Sequence, residues 1–98
     1  MANVAFCRVT LHLPGSRNLK EKRSISQSVT SRVRSKFNVS ISEIGDPDLW
    51  QKLTLGIVCV SSDGAYASGL LSSVISYIES SRPDLELLDW ETETLSGF

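Results

Sequence analysis

The sequence lacks the features that mark membrane, secreted and metal-binding proteins. No apolar run approaches the roughly 20 residues that a membrane-spanning helix needs. The N-terminal segment MANVAFCRV reaches Arg8 too early for the apolar region of a signal peptide. There is no CxxC pair, and the lone His12 does not complete a tetrahedral metal site with Cys7 and Cys59. We therefore expect a cytoplasmic protein without cofactor or metal, whose cysteines are small buried hydrophobic residues rather than a redox pair.

A catalytic motif is absent as well. Catalysis would need a nucleophile beside a base, or two placed carboxylates. The segment DPDLW, residues 46–50, groups two acids with Trp50 but offers no second chemical partner, which favours a turn anchored by an aromatic residue. Trp50 and Trp90 are predicted to be partly buried packing residues. The chain is thus expected to be a non-catalytic binding protein rather than an enzyme.

The hydrophobic pattern predicts one globular domain, residues 1–98, with six elements. The composition, 41% hydrophobic and 21% charged over 98 residues, is enough for a single core. Alternation predicts strands and four-residue spacing predicts amphipathic helices, the first capped by Asn18 and the second by Asp63. The predicted elements are a strand over 4–13, a helix from 19 to about 37, a short strand over 38–44, a central strand over 52–62, a helix from 64 to about 82, and a last strand over 85–94.

The order of these elements, β-α-β-β-α-β, indicates an α+β fold. With right-handed crossovers, two such units form a four-stranded antiparallel sheet with both helices on one face, which is the ferredoxin-like sandwich. The face of the first strand that carries Ala5, Cys7 and Val9 is expected to point to the helices. The opposite face of the sheet is then left open.

Three strings carry a family resemblance over nearly the whole chain. LHLPGSRNLKEKR, RVRSKFNVSISEIGDPDLWQKLTLGIVCVS and LLDWETE resemble the YlxP-like family of small bacterial proteins of unknown function. The resemblance implies a ferredoxin-like fold and a gene often found among transcription and translation factors. It implies no established activity and no catalytic residues.

Charge is distributed unevenly along the chain. Residues 1–42 hold eight Lys or Arg and one acid, a net +7, whereas residues 43–98 hold two Lys or Arg and ten acids, a net −8. Within residues 17–37 there are seven Lys or Arg and only Glu21 as an acid. Such asymmetry indicates either a charged partner or self-association between opposite faces.

The basic residues of the first helix predict an exposed ridge. Spacings of 3, 4, 4 and 3 place Lys20, Arg23, Gln27, Ser31 and Arg34 on the face opposite the apolar stripe, with Arg17 just before them. Lys22 and Lys36 fall near that stripe and are expected to extend their ammonium groups past the core edge into water. Cations in the first turn oppose the helix dipole, so a sequence shaped by stability alone would place acids there. Arg17, Lys20, Arg23 and Arg34 are therefore the candidate nucleic-acid or anion-binding residues; the alternatives are solubility, or pairing with acids elsewhere in the fold.

The acids of the last strand are candidate partners for two basic residues of the first strand. Asp89, Glu91 and Glu93 alternate along one face, while Leu88, Trp90 and Thr92 take the other. The last strand lies antiparallel to the first in this fold, so Arg8 and His12 are predicted to pair with Asp89 and Glu91. His12 is accordingly predicted to be a sheet-surface residue with a carboxylate neighbour, not a catalytic base.

Two binding functions follow from these patterns. The first is contact with RNA or a ribosomal particle through the basic helix, made to the phosphate backbone, because the third strand has no aromatic residue on which bases could stack. The alternative is a homodimer or protein-interaction module that uses the open sheet face, with no nucleic-acid role. Its predicted interface residues are Val4, Phe6, Val58 and Val60.

Overall fold

The computed structural model describes all 98 residues and has the predicted element order. Two helices cover one face of a four-stranded antiparallel sheet, which confirms the ferredoxin-like α+β fold. Neither helix is long and apolar enough to cross a membrane. The elements are β1 (Asn3–His12), α1 (Leu19–Lys36), β2 (Ser40–Glu43), β3 (Lys52–Ser61), α2 (Gly64–Ser81) and β4 (Glu86–Ser96).

The sheet has the strand order β2-β3-β1-β4, so β3 and β1 are central as their apolar character requires. The alternating residues of β1 predicted to face inward are all buried against the helices. Cys7 and Cys59 are both free and buried, as expected. Burial raises the pKa of the Cys7 thiol to about 11 and raises that of Cys59 as well, because a thiolate loses hydration there. Both cysteines are therefore part of the core rather than nucleophiles.

Helix α2 supplies most of the helical contribution to the core. Its buried residues are all apolar, and Asp63 caps it by accepting hydrogen bonds from the amides of Ala65 and Tyr66 at 3.0 and 3.2 Å. This cap satisfies two of the amides that the first turn leaves without partners. The amphipathic helix predicted for this segment is confirmed, with Leu70 partly buried at the margin of its inward face. The buried residues are Ala67, Leu71, Val74, Ile75 and Ile78.

Helix α1 is anchored differently, by a buried ion pair. The prediction that Lys22 extends into water is wrong, since its side chain is 2% exposed. Its Nζ lies 3.1 Å from Oε2 of Glu43 and donates to the carbonyl oxygen of Asp46 at 3.0 Å. Ser26 Oγ donates to the other oxygen of Glu43. Burial of an ammonium group is tolerated where a carboxylate and a carbonyl replace its water of hydration. The helical periodicity of α1 does not reveal these partners of Lys22, because they lie more than 20 residues further along the chain.

Strand β4 contains an irregularity that the alternation did not predict. The pairing with β1 shifts between Thr10 and Leu11, so that Asp89 faces Thr10 while Leu87 faces Leu11. Leu88 therefore lies unpaired in a β-bulge, a device that re-aims side chains. It lines the same groove as His12 on the open side of the sheet, so the predicted placement of Leu88 on the face of Trp90 is wrong.

Candidate nucleic-acid interface

The predicted ridge of α1 is exposed along its whole length. Lys20, Arg23 and Arg34 lie on the solvent side with Gln27 and Ser31 between them, which confirms the predicted face. The buried side of the same helix carries Val29 and Val33. We call Lys20, Arg23, Gln27, Ser31 and Arg34 the basic ridge. The binding of RNA to the basic ridge stays a prediction.

The four candidate cations differ in whether the fold neutralises them. Arg17 forms an ion pair with Glu21, with 3.0 Å between Nη2 and Oε1. Lys20, Arg23 and Arg34 form no ion pair with any carboxylate of the chain. Arg34 donates to the carbonyl oxygen of Ile41 at 2.7 Å, which orients its guanidinium without cancelling its charge. Three uncompensated positive charges therefore remain on the ridge, and Arg17 contributes least.

Glu21 itself occupies the start of α1. Asn18 Oδ1 accepts from the amide of Glu21 at 2.9 Å, which confirms the predicted cap. The Glu21 carboxylate accepts a hydrogen bond from the amide of Arg17. The hydrogen bond from the backbone amide of Arg17 lowers the pKa of Glu21 below its ordinary value of 4.5, and the hydrogen bonds from the Arg17 side chain lower it further. The helix start already has an acceptor from its own chain, so the ridge, rather than the helix terminus, is the site open to an anion.

The acids of β4 engage the basic residues of β1 on the open face of the sheet. Arg8 Nη2 lies 2.9 Å from Glu91 Oε1 and 3.9 Å from Asp89 Oδ2, as predicted. His12 Nδ1 lies 3.3 Å from Glu86 Oε2 instead of facing Asp89 or Glu91. The bulge at Leu88 is the reason for this difference, because it shifts the register of β4 by one residue and brings Glu86 opposite His12. The acids thus lie across the sheet from α1 and leave its ridge uncompensated.

The predicted interface residues form one apolar patch on the open face. Val4 pairs with Val60 and Phe6 with Val58 across β1 and β3, so the four side chains are neighbours. Val60 is 69% exposed and Phe6 41%. We call Val4, Phe6, Val58 and Val60 the sheet patch; Leu95, opposite Val4, and Ile44, beside Gly56, extend it.

A groove at the other end of the open face was not foreseen. The groove has a volume of about 480 Å³ and lies where β1 ends and β3 begins, and Leu88 of the bulge is one of its lining residues. Trp50 is 49% exposed and Trp90 52%, so both are partly buried, as predicted, and each leaves about half of its surface exposed. Trp50 precedes Lys52 by two residues, and Lys52 pairs with His12 in the register of β1 and β3, which brings the indole to this end of the sheet. We call this the Trp50 groove; its lining residues are His12, Asp48, Leu49, Trp50, Gln51, Lys52 and Leu88.

Solved structures share the architecture of this chain. A candidate antibiotic biosynthesis monooxygenase from Chloroflexus aurantiacus J-10-fl is 19% identical, with a TM-score of 0.58 over 97% of this chain and 95% of that one. A dabb family protein with a ferredoxin-like fold from Mesorhizobium loti MAFF303099 is 12% identical, with a TM-score of 0.50 over 100% and 99%. The de novo designed protein Foldit4 is 11% identical, with a TM-score of 0.55 over the full length of both. At these identities the likeness shows the fold alone.

Sequence comparisons identify the family. The chain is 41% identical over 93 residues to the uncharacterized protein YlxP of Bacillus subtilis (strain 168). The aligned region covers 95% of this chain and 98% of that protein. The model of the family described as protein of unknown function (DUF503) matches residues 4–92. The predicted YlxP-like resemblance is confirmed, and the chain belongs to the DUF503 family.

Proposed function

We propose that this protein is a binding module that contacts RNA, free or in a ribosomal particle, through the basic ridge of α1. The observation that carries the proposal is that Lys20, Arg23 and Arg34 are exposed on one face of α1 with no carboxylate partner. Exposed charges that only confer solubility are usually mixed in sign along a helix face. A row of unmixed cations instead suits the phosphate backbone, which pairs with Lys and Arg independently of base sequence.

The position of the acids supports the same proposal. Arg8 and His12 engage three of them on the open sheet face, and the one acid on α1 is held by Arg17. The acids of β4 therefore lie on the open face of the sheet, whereas the basic ridge lies on the side of the helices. A polyanion that approaches α1 therefore meets the ridge without passing the acids of β4.

The expected binding is dependent on salt. Three phosphate contacts on a single strand give a slope of about −2 in log affinity against log salt, so a change from 50 to 200 mM salt weakens binding about twentyfold. We expect labelled single-stranded RNA and ribosomal particles to bind the parent protein at low salt, measured by fluorescence anisotropy and co-sedimentation.

Charge reversal on the ridge tests the proposal. The triple variant Lys20→Glu/Arg23→Glu/Arg34→Glu should lose binding at low salt while keeping the circular dichroism spectrum of a folded protein. Its unfolding midpoint should fall somewhat, because Arg34→Glu also removes the hydrogen bond to the Ile41 carbonyl. A matched pair of double variants controls for net charge: Lys20→Glu/Arg23→Glu should lose most of the affinity, and Arg32→Glu/Lys36→Glu, on the same helix but off the ridge, should keep most of it. Equal binding by the parent and the triple variant would refute the ridge as the RNA site.

A second candidate function is association through the sheet patch, favoured by the exposure of Val60 and Phe6. Contiguous exposed apolar surface of this kind commonly marks an interface, and a symmetric dimer is the commonest assembly. The Phe6→Glu variant should then elute as a monomer while the parent elutes as a dimer. Tyr66→Glu, which changes an exposed aromatic residue on α2, should not alter the elution of the parent. A parent protein that sediments as a monomer at high concentration would exclude this function.

A further inference from the structure

The Trp50 groove has the size and lining of a small-molecule site. Its volume of about 480 Å³ falls within the range of roughly 300 to 1,000 Å³ typical of ligand sites. The indole of Trp50 offers an exposed aromatic surface, and Leu49 and Leu88, both about half exposed, are the other apolar residues of the groove. A slot of aromatic and aliphatic side chains accepts a flat ring by stacking, at about 1 to 3 kcal/mol for each nucleic-acid base.

The polar groups of the groove indicate which polar groups a bound ring compound should have. Lys52 forms no ion pair, so its ammonium is available to an anion attached to the ring. His12 lies with Nδ1 against Glu86, which leaves Nε2 as its second hydrogen-bonding atom. Asp48 supplies a carboxylate, an acceptor for ring N–H groups. A planar heterocycle with N–H donors and a nearby phosphate matches this set, and an RNA nucleotide has both.

The groove is joined to the basic ridge by the loop that precedes β3. Gln51 Nε2 donates to the carbonyl oxygen of Ser16 at 3.1 Å, and the amide of Leu13 donates to the carbonyl oxygen of Gln51 at 2.9 Å. Lys20 follows Ser16 by four residues, a span of at most about 14 Å even if fully extended. The first cation of the ridge and the groove therefore lie at the same end of the molecule, within reach of one short strand.

We propose that the Trp50 groove holds one unpaired base of the RNA strand whose phosphates contact the basic ridge, with the base stacked on Trp50. This inference rests on the proposed function and adds a base-binding step to it. The stacking residue, Trp50, lies in a loop. The central strands β1 and β3 have no exposed aromatic residue except Phe6. Base recognition by stacking in a loop groove suits single-stranded RNA, whose bases are free to leave the helix stack.

The experiment compares two tryptophans of equal exposure. Affinity for a labelled single-stranded RNA of about 12 nucleotides, a length within the reach of single-strand-binding folds, is measured by anisotropy for the parent, Trp50→Ala, Trp50→Phe and Trp90→Ala. Loss of one stacked base should weaken binding about tenfold in Trp50→Ala. Trp50→Phe should restore most of the affinity, and Trp90→Ala, on the helix side of β4, should bind as the parent does. Leu88→Glu, which places a charge in the groove without removing the ring, should also weaken binding.

A second RNA separates stacking from charge. An oligonucleotide of the same length with abasic positions keeps every phosphate and removes the bases. The parent should bind it as weakly as Trp50→Ala binds the ordinary RNA, and Trp50→Ala should bind both RNAs equally.

The outcomes distinguish the groove from the ridge. If Trp50→Ala and Leu88→Glu bind as the parent does while the ridge triple variant loses binding, the base-binding inference is overturned and the proposed function stands. If the parent binds the abasic and ordinary RNAs equally, the inference is again overturned. If the parent binds no RNA at low salt, the proposed function fails and the inference fails with it.

Discussion

The two helices have the same length and cover the same sheet face, yet they differ in nearly every other respect. Each has 18 residues. Helix α1 carries six Lys or Arg, and α2 carries none and has Glu79 as its only charged residue. The five buried residues of α2 are all apolar, whereas the five of α1 include a lysine, a serine and a threonine. Burial of apolar surface is the main favourable term in folding, so α2 contributes more of the stability.

The comparison shows that the apolar core depends more on α2, whereas α1 carries the exposed cations. The outward face of α1 carries cations, and part of its inward face is polar. Helix α1 is instead held to the sheet by polar anchors, of which Lys22 with Glu43 and Arg34 with the Ile41 carbonyl are the principal ones. Changes that act on these anchors, on the caps and on the charges test this division in turn.

The largest effect is expected at the buried anchor. Lys22→Ala leaves the Glu43 carboxylate without its ammonium partner, and breaking a buried ion pair in this way costs about 3 to 5 kcal/mol. Because Glu43 is 25% exposed, water relieves part of the penalty and the lower end of that range applies. The measurement is the free energy of unfolding in urea.

Two variants control this prediction. Lys20→Ala removes an exposed lysine of the same helix and should change the free energy of unfolding by less than about 0.5 kcal/mol. Lys22→Met/Glu43→Leu replaces the pair by apolar residues and should recover most of the lost stability. A cost for Lys22→Ala no greater than that of Lys20→Ala would contradict the assignment of Lys22 as the anchor of α1.

A smaller effect is expected at the helix caps. Asp63→Ala removes the acceptor of two amides of α2 and should cost about 1 to 2 kcal/mol, whereas Asn18→Ala removes the acceptor of one amide of α1 and should cost about 1 kcal/mol or less. Asp63→Ser should keep most of the cap. If the division of roles is correct, Asp63→Ala leaves RNA affinity unchanged, which anisotropy would check. A larger loss of stability for Asn18→Ala than for Asp63→Ala would contradict this division of roles.

Sequence alone predicted what depends on local pattern and missed what depends on distant partners. The alternation of β1, the amphipathic pattern of α2 and both caps are local, and all were confirmed. The burial of Lys22 depends on Glu43 and the Asp46 carbonyl, which only folding brings to it. The Trp50 groove depends on a one-residue bulge at Leu88 that also gives His12 its partner Glu86. A β-bulge has no fixed sequence signature in a strand whose residues already alternate, so neither the groove nor the pairing of His12 with Glu86 could be predicted.

The smallest effect concerns the one acid of α1 and has a defined dependence on pH. Hydrogen bonds from the Arg17 amide and then from its side chain hold the pKa of Glu21 below the ordinary 4.5. A carboxyl group whose pKa is lower in the folded state stabilises the fold above its unfolded pKa and loses that contribution as the pH falls through the folded pKa. Glu21→Gln should therefore lower the thermal midpoint slightly at pH 7 and match the parent at pH well below 4.5.

The matched control for that prediction is on the other helix. Glu79→Gln removes an exposed acid of α2 that forms no ion pair, so its thermal midpoint at pH 7 should stay close to that of the parent. Glu21→Gln also frees Arg17 from its only carboxylate partner and adds one uncompensated cation beside Lys20. RNA affinity at low salt should then rise, with a steeper dependence on salt. An unchanged affinity would mean that the strand does not pass Arg17, and would confine the contact to the ridge between Lys20 and Arg34.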